Sequence, residues 1–250
     1  MSGTGRHQPR GETFVLLHGS WHGGWAWEPT AWCLRERGHV AYAPTYPGHF
    51  PGASRAGIRH DDYVAAVVGF IEGLDLRDVV LVGHSFGGSV VSRVSQVIPE
   101  RLKRLVFHTA FVVADGCSVN DEFPDDQTAL FEAAACDSPD GTVPCAWEVF
   151  RDLFIQDASP EAARSVWERL VPQPFAPWAE KLSLGQFYRG EIPRSYVAVA
   201  DDLALPPGSW HPGMSSRLGE FKLVEMGGSH EVMFTRPAEL ARKLVDASGD

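Results

Sequence analysis

The sequence has 250 residues, 44% of them hydrophobic, which is enough for one large α/β domain with a full core. Its formal net charge of −10 argues against nucleic acid as a partner, because no basic stripe is present to neutralise phosphates. The four cysteines lack paired spacing, which predicts free thiols rather than a disulfide frame or a zinc site.

The first segment, Met1 to Glu12, is polar and contains no apolar stretch of the kind that a signal peptide carries. No uninterrupted apolar run in the chain approaches the length that spans a bilayer. We therefore expect a frayed N-terminal tail, no membrane association and a cytoplasmic location.

Strands and helices alternate along the first part of the chain. The continuous apolar run Phe14–Leu17 predicts a strand covered on both faces, and a glycine-rich loop follows it. A helix is predicted from Trp27 to Arg37, a strand at Val40–Ala43, and a helix with one apolar face after His60. This alternation is typical of an α/β fold with a mainly parallel sheet and helices on both faces.

The next strand leads into a serine between glycines. The apolar run Val79–Val82 is followed by Gly83-His84-Ser85-Phe86-Gly87 and by a helix predicted from Ser89 to Ile98. A nucleophilic serine at a sharp strand-to-helix turn needs small residues two before and two after it, because strand and helix pass closely there. A buried turn serine is the structural alternative, but the required strand and helix are both present.

From residue 114 to residue 189 the strand-like runs disappear and helical segments separated by prolines take their place. We predict a helical lid over 114–189, inserted into a core formed by 1–113 and 190–250, all within one structural domain. Its aromatic residues indicate either ordinary core or an apolar substrate cleft. They are Phe123, Phe131, Trp147, Phe150, Phe154, Trp167, Phe175, Trp178 and Phe187.

Two further strands are predicted, at Ser195–Ala200 and Phe221–Met226, and a helix from Pro237 to Val245 ends the pattern. Asp201 and Asp202 follow the first of these strands, and His230 follows the second. The order serine, aspartate, histidine, each after a strand, is the one expected for a catalytic triad whose serine lies at a strand-to-helix turn. Residue chemistry alone does not choose between the two aspartates, and a surface loop is the alternative for the histidine.

A tetrahedral intermediate needs two N–H donors for its oxyanion. We assign them to the backbone of Phe86 and of Ser20, which lies in the loop after the first strand. Gly19, Trp21, Trp147 and Phe150 are the predicted substrate pocket. No metal site is predicted, because the His18 and His22 spacing brings ligands together only on a helix and these lie in a glycine-rich loop.

The motifs Phe14–Trp25, Gly83–Gly88 and Gly227-Gly228-Ser229-His230 resemble the α/β-hydrolase superfamily, and within it the plant methylesterases of the salicylate-binding type and the hydroxynitrile lyases, with their bacterial relatives. The resemblance implies an α/β-hydrolase fold, Ser85 as nucleophile and His230 as base. It also implies Asp202 as the acid, through the Asp-x-x-x-Pro pattern, and the backbone of Ser20 and Phe86 as the oxyanion site.

The same resemblance separates esterases from lyases. The lyases carry threonine where this chain has Gly19, and a lysine that stabilises cyanide where it has Glu231. An acidic side chain would oppose an anion there, which disfavours cyanohydrin cleavage. The methylesterases usually have an apolar residue at the position of Glu231, so its role is left open.

We predict a serine carboxylester hydrolase that forms an acyl-enzyme, requires no cofactor and acts on a small to medium apolar ester, such as a methyl ester of an aromatic or polyketide-like acid. One alternative is a biosynthetic cyclase, lyase or thioesterase that uses the same pocket, with an acyl carrier as partner. A basic patch of Arg151, Arg164, Arg169 and Arg189 is its candidate docking site. The second is a ligand receptor with negligible turnover. A homodimer is a candidate assembly.

Overall fold

The computed structural model describes residues 11–250, so the predicted N-terminal tail lies outside the described residues except for Gly11 and Glu12. Six parallel strands form the main sheet, in the order second, first, third, fourth, seventh, eighth strand of the chain. The predicted α/β-hydrolase architecture, with a mainly parallel sheet and helices on both faces, is confirmed.

The strands and helices are bounded as follows. The strands are β1 (Thr13–Leu17), β2 (Val40–Tyr42), β3 (Val79–Ser85), β4 (Leu102–Ala110), β5 (Thr142–Val143), β6 (Gln173–Pro174), β7 (Arg194–Val199) and β8 (Lys222–Met226). The helices are α1 (Glu28–Arg35), α2 (His60–Gly73), α3 (Gly87–Val97), α4 (Asp125–Asp137), α5 (Trp147–Val149), α6 (Pro160–Trp167), α7 (Ala176–Ala179), α8 (Gly185–Arg189), α9 (Val232–Thr235) and α10 (Pro237–Ser248).

The apolar runs of the central strands are continuous because each strand is buried on both faces. Successive side chains point to opposite faces of a sheet, so alternate residues of each run enter different cores. In β1, Val15 and Leu17 join one buried cluster with helices α2 and α3, whereas Phe14 and Leu16 join the other with α1 and α10. A pattern with no alternation is thus what a central parallel strand requires.

The segment between β4 and β7, which we call the insert (residues 114–189), carries helices α4 to α8. A five-residue π-helical turn, Phe150–Phe154, directly continues α5. The insert also contains one short antiparallel pair, β5 with β6, in which each strand has two residues. The expectation that this segment contains no strands is therefore wrong for this pair. The insert packs above the carboxyl edge of the sheet through the cluster that contains Val15 and Leu17.

Three of the predicted polar positions follow strands at this same edge. Ser85 ends β3, Asp202 lies three residues after β7, and His230 lies four residues after β8. Because the strands are parallel, their carboxyl ends meet on one side of the sheet, where α/β proteins bind ligands. Within residues 11–250, every helix is too short or too polar to cross a bilayer.

Candidate active site

Ser85 occupies a left-handed backbone conformation, with a φ of 52°, between β3 and α3. Such a conformation is uncommon and costly for a residue with a side chain, and strained residues of this kind cluster at active sites. The neighbouring glycines permit the turn, because a Cβ on Gly83 would lie 2.6 Å from the backbone of Gly87. A Cβ on Gly87 would in turn lie 2.9 Å from the carbonyl oxygen of Leu17. The strand and helix therefore pass too closely for any larger residue.

Asp202 and His230 form a buried pair at the edge of the sheet. Nδ1 of His230 donates to Oδ2 of Asp202 at 2.6 Å, and both side chains are 1% exposed. Thr109 Oγ1 donates to the same oxygen, and the N–H of Ala204 donates to Oδ1 at 2.9 Å. The carboxylate thus accepts three hydrogen bonds, which fixes both its position and the tautomer of the imidazole.

The interaction between Asp202 and His230 shifts the pKa of each residue in the direction that favours its charged form. Burial lowers the pKa of His230, but the charge and hydrogen bond of Asp202 outweigh it, so the pKa lies above 6.5. Burial raises the pKa of Asp202, but His230, Thr109 and Ala204 together bring it below 3.8. The ring nitrogen Nε2 of His230 is buried and has no hydrogen-bond partner in residues 11–250. A nitrogen in this state can accept a proton from a nucleophile.

Asp201, the alternative acid, is placed differently. Its Oδ2 accepts from the N–H of Gly228 at 3.0 Å, and its backbone oxygen accepts from Gln156 at 2.6 Å. These contacts tie the loop after β8 to the sheet and to the insert. Asp201 therefore shapes the loop that carries His230, whereas Asp202 contacts the ring itself.

The loop after β1 lies against the nucleophile. A Cβ on Gly19 would lie 3.0 Å from Cβ of Ser85, so a side chain there would press on the serine. Among the loop and turn hydrogen bonds of residues 11–250, none uses the N–H of Ser20 or of Phe86, which leaves both available to an oxyanion. The Ser20 hydroxyl accepts from Nε1 of Trp178 at 3.0 Å, which ties the loop to the insert.

An apolar cavity opens at Ser85. Its empty space is about 900 Å³, which includes the solvent-filled space at its open mouth. Its walls come from both the sheet edge and the insert. They are Ser20, Trp21, Ser85, Phe111, Phe123, Gln127, Leu130, Phe131, Ala134, Val143, Pro144, Cys145, Ala146, Val149, Phe154, Trp178, Ala204, Leu205 and Trp210. All of these side chains are uncharged, so the cavity suits a neutral apolar ligand.

The four predicted pocket residues are placed as follows. Trp21 lines the cavity, and its Nε1 donates to the carbonyl oxygen of Val143 at 2.9 Å. Gly19 lies behind the wall, against Ser85. Trp147 packs edge-on against Trp167, Phe150 is wholly buried, and neither lines the cavity. The structure thus corrects the pocket set: helical periodicity in the insert does not tell which aromatic face points to the sheet.

Two important neighbours were missed by sequence reasoning. Trp210 stacks on the ring of His230, with centroids 5.3 Å apart and an angle of 22°, and also lines the cavity. Thr109 holds Asp202 and has a φ of 38°, another left-handed conformation at the end of a strand. Its position beside the strand that carries Ser85 is the signal that would have identified it. No comparable signal marks Trp210, which lies in an irregular segment.

Glu231, whose role the sequence left open, is 1% exposed. Burial raises its pKa to about 8, so the side chain is a neutral acid at pH 7. The raised pKa weakens the argument from a negative charge that opposes cyanide. What the position lacks is the positive charge of the lyases' lysine, and this still disfavours a cyanide leaving group.

Ligand atoms of His84, His230 and Glu231 lie within 4.8 Å of one another, as a metal site would require. However, Nε2 of His84 donates to the carbonyl oxygen of His230 at 3.1 Å, and Nδ1 of His230 is held by Asp202. An ion would have to bind Nε2 of His230, the nitrogen that a general base uses. We therefore interpret the cluster as a hydrogen-bonded network, in which His84 supports the loop of the base.

Comparisons with known proteins agree with this architecture. The profile of the alpha/beta hydrolase family matches residues 14–243. The carbendazim hydrolyzing esterase of Nocardioides sp. strain SG-4G is 33% identical over 244 residues, which cover 92% of this chain and 97% of the relative. Putative methylesterase 15 of Arabidopsis thaliana is 30% identical over 94% of this chain, which spans only 56% of that longer protein.

A solved extracellular alpha/beta-hydrolase from a Paenibacillus species is 40% identical, with a TM-score of 0.92 over 96% of this chain and 100% of its own. That enzyme is described as sharing structural and functional homology with tobacco salicylic acid binding protein 2. The resemblance to the methylesterase branch and its bacterial relatives is thus confirmed. The chain belongs to the alpha/beta hydrolase family and is an enzyme of its carboxylesterase type.

Proposed function

We propose that this enzyme hydrolyses neutral esters with an apolar acyl group through Ser85, His230 and Asp202. The observation that carries the proposal is a serine in a strained turn that lines an apolar cavity, together with a histidine held by a buried carboxylate. The histidine ring packs against Phe154 and Trp210, which also line that cavity. A serine hydroxyl becomes nucleophilic only when a positioned base takes its proton. The relatives support the same reaction class, since they are named as esterases and methylesterases.

In the first step, Ser85 Oγ attacks the ester carbonyl carbon while its proton moves to Nε2 of His230. The carbonyl oxygen takes up the electron pair and accepts hydrogen bonds from the N–H groups of Ser20 and Phe86. Asp202 stabilises the imidazolium that forms. His230 then gives the proton to the leaving alcohol as the ester C–O bond breaks, which leaves an acyl group on Ser85. Water repeats the sequence and releases the acid.

The cavity supports aromatic or otherwise flat acyl groups. The rings of Trp21 and Trp178 meet edge to face with centroids 5.4 Å apart, and Phe111 and Trp210 form a second such pair at 4.9 Å. Aromatic walls of this kind bind flat apolar groups. A free carboxylate on the substrate, in addition to the ester, would find no cation among the lining residues. We therefore propose neutral aryl or alkyl-aryl esters with small alcohols, methyl esters included, as the substrate class.

The carrier-dependent alternative gains no support from the insert. Arg151 is paired with Asp152 at 2.6 Å, and Arg164 lies over the ring of Trp147 at 3.8 Å. Arg169 lies over Trp25 at 3.9 Å. These arginines cover aromatic rings or pair with acids instead of lining the cavity, so we propose no second function.

The test is intact-protein mass spectrometry after exposure to a fluorophosphonate, with turnover of p-nitrophenyl and methyl aryl esters measured in parallel. We expect one adduct on the wild type and none on Ser85→Ala, with kcat/KM lower by roughly 10⁴-fold or more in the variant. Ser183→Ala, which changes an exposed serine of the insert, is the matched control and should behave as wild type. An adduct that persists in Ser85→Ala would refute the assignment of the nucleophile.

A further inference from the structure

Glu231 and His22 form a second buried polar pair, behind the wall of the cavity. Oε2 of Glu231 lies 3.6 Å from Nε2 of His22, and the two side chains are 1% and 2% exposed. Within residues 11–250 neither atom has a hydrogen-bond partner at normal distance. Aromatic rings surround the pair, with Trp25, Phe150 and Phe234 all within 6.2 Å of the imidazole. Two unpartnered polar atoms that face each other in such a place are expected to share a proton.

The hydrogen bonds around His22 define where that proton lies. Nδ1 of His22 is 2.8 Å from the carbonyl oxygen of Ser20, which can only accept, so Nδ1 carries the hydrogen. Burial lowers the pKa of His22 to about 3, which keeps the ring neutral and makes Nε2 an acceptor. The carboxyl of Glu231 faces Nε2 at 3.6 Å. A carboxylate there would set two acceptors against each other, whereas a carboxylic acid would donate.

Glu231 also has contacts on its other sides that join the parts of the active site. It directly follows His230 in the chain, and its N–H donates to the carbonyl oxygen of Phe154 at 3.0 Å. The Phe154 ring meets His230 edge-on at 5.2 Å and lines the cavity. Through His22, the Glu231 side chain reaches the peptide group after Ser20. One side chain thus connects the base, the insert and the loop of the oxyanion site.

We propose that Glu231 is a positioning residue that donates a hydrogen bond, as a neutral carboxylic acid, to His22 and thereby holds the Ser20 loop in register with His230. The proposal rests on the proposed function, because it concerns the oxyanion donor assigned to Ser20. It does not make Glu231 a group that touches the substrate.

The proposal predicts a loss of activity at high pH. Burial gives Glu231 a pKa of about 8, and above this pH the carboxylate can no longer donate a hydrogen bond to His22. The titratable or charged groups around it are His22, His84, Cys145, Arg169, Asp202 and His230. Burial keeps the pKa of His84 well below 6.5 and raises that of Cys145 to about 12. Between pH 7 and pH 10, Glu231 is therefore the group in this cluster that gains a negative charge.

The experiment compares kcat and KM for p-nitrophenyl acetate from pH 5 to pH 10 in wild type, Glu231→Gln and Glu231→Met. We expect a falling limb near pH 8 in the wild type and none in Glu231→Gln, whose amide donates to His22 at every pH. Glu231→Met has no donor and should lose about tenfold in kcat at all pH values, with KM changed little. Glu225→Gln, on the exposed side of β8, is the matched control and should retain the wild-type profile.

The outcomes are separable from those of the proposed function. Turnover that survives in Ser85→Ala would overturn the proposed function whatever Glu231 does. If Ser85→Ala is inactive but wild type and Glu231→Gln share one falling limb, or Glu231→Met keeps full kcat, the positioning role is refuted. Infrared difference spectra between pH 6 and pH 9.5 give a readout without turnover. A carboxylic-acid C=O band that disappears at high pH in wild type and is missing in Glu231→Gln would support the proposal, and its absence in wild type would refute it.

Discussion

Replacing Glu231 by glutamine should alter the pH dependence of stability in a direction that follows from the burial of its carboxyl. The carboxyl is 1% exposed, and burial raises its pKa from 4.5 to about 8. Because the folded value lies above the unfolded one, the folded protein keeps a proton that the unfolded chain has released between these two pH values. The stabilisation that the neutral acid provides is therefore complete below pH 4.5 and is lost as the pH rises through 8.

The size follows from the shift. Each pKa unit corresponds to about 1.36 kcal/mol, so the wild type should lose roughly 4 kcal/mol of unfolding free energy through this group between pH 5 and pH 8. Glutamine does not titrate, and its amide can donate to His22 as the acid does. The difference in unfolding free energy, Glu231→Gln minus wild type, should thus rise by that amount over this range and stay constant above pH 9.

Urea unfolding followed by the fluorescence of the eight tryptophans measures this difference at pH 5, 6, 7, 8 and 9. Subtracting the two proteins removes the contributions of His230 and Asp202, which titrate in both. The exposed variant Glu225→Gln is the control and should differ from wild type by the same amount at each pH. Parallel stability curves for Glu231→Gln and wild type would show that the carboxyl is not held as a buried neutral acid.

Other substitutions test other parts of the site. Asp202→Asn should lower kcat by roughly 10³- to 10⁴-fold and move the rising limb of the pH profile to lower pH, because the carboxylate no longer raises the pKa of His230; an unmoved limb contradicts the pairing. Gly83→Ala should cost about 1–3 kcal/mol in thermal unfolding and slow fluorophosphonate labelling, since its Cβ meets backbone at 2.6 Å. Gly69→Ala, in open space on α2, should instead stabilise by about 0.5–1 kcal/mol; equal effects would refute the elbow argument. Trp178→Phe keeps a ring but removes the hydrogen bond to the serine of the oxyanion loop, so kcat/KM should fall about fivefold, and unchanged kinetics would show that the bond does not hold that loop.

The central strands and the nucleophile turn could be predicted because their requirements are local. A continuous apolar run such as Val79–Val82 is characteristic of a strand buried on both faces, and the Gly83 and Gly87 spacing reflects backbone contact within a few residues. The order of Ser85, an aspartate and His230 was also readable, since each follows a strand pattern and parallel strands end on one edge. The choice of Asp202 over Asp201 came only from the family resemblance. These features depend on period and spacing, which a sequence displays directly.

The insert shows where such reasoning stops. Its helices are short and its aromatics are scattered, so periodicity did not tell that Phe154 faces His230 while Phe150 packs away from the cavity. Nor did it find Trp210 or Thr109, whose roles arise from segments that are distant in the chain and meet at the sheet edge. Which face of an irregular segment is buried depends on the partner it packs against.

Glu231 marks the division most clearly. The sequence by itself determined the fold, the order of the catalytic residue types after successive strands, and the presence of an acidic residue after the base. Only the tertiary structure decided that this acid is buried and lies 3.6 Å from Nε2 of His22, whose ring stacks on Phe234. The charge of a carboxyl depends on its exposure to solvent and on its neighbours, and here these are set by residues from distant parts of the chain, such as His22 and Phe150.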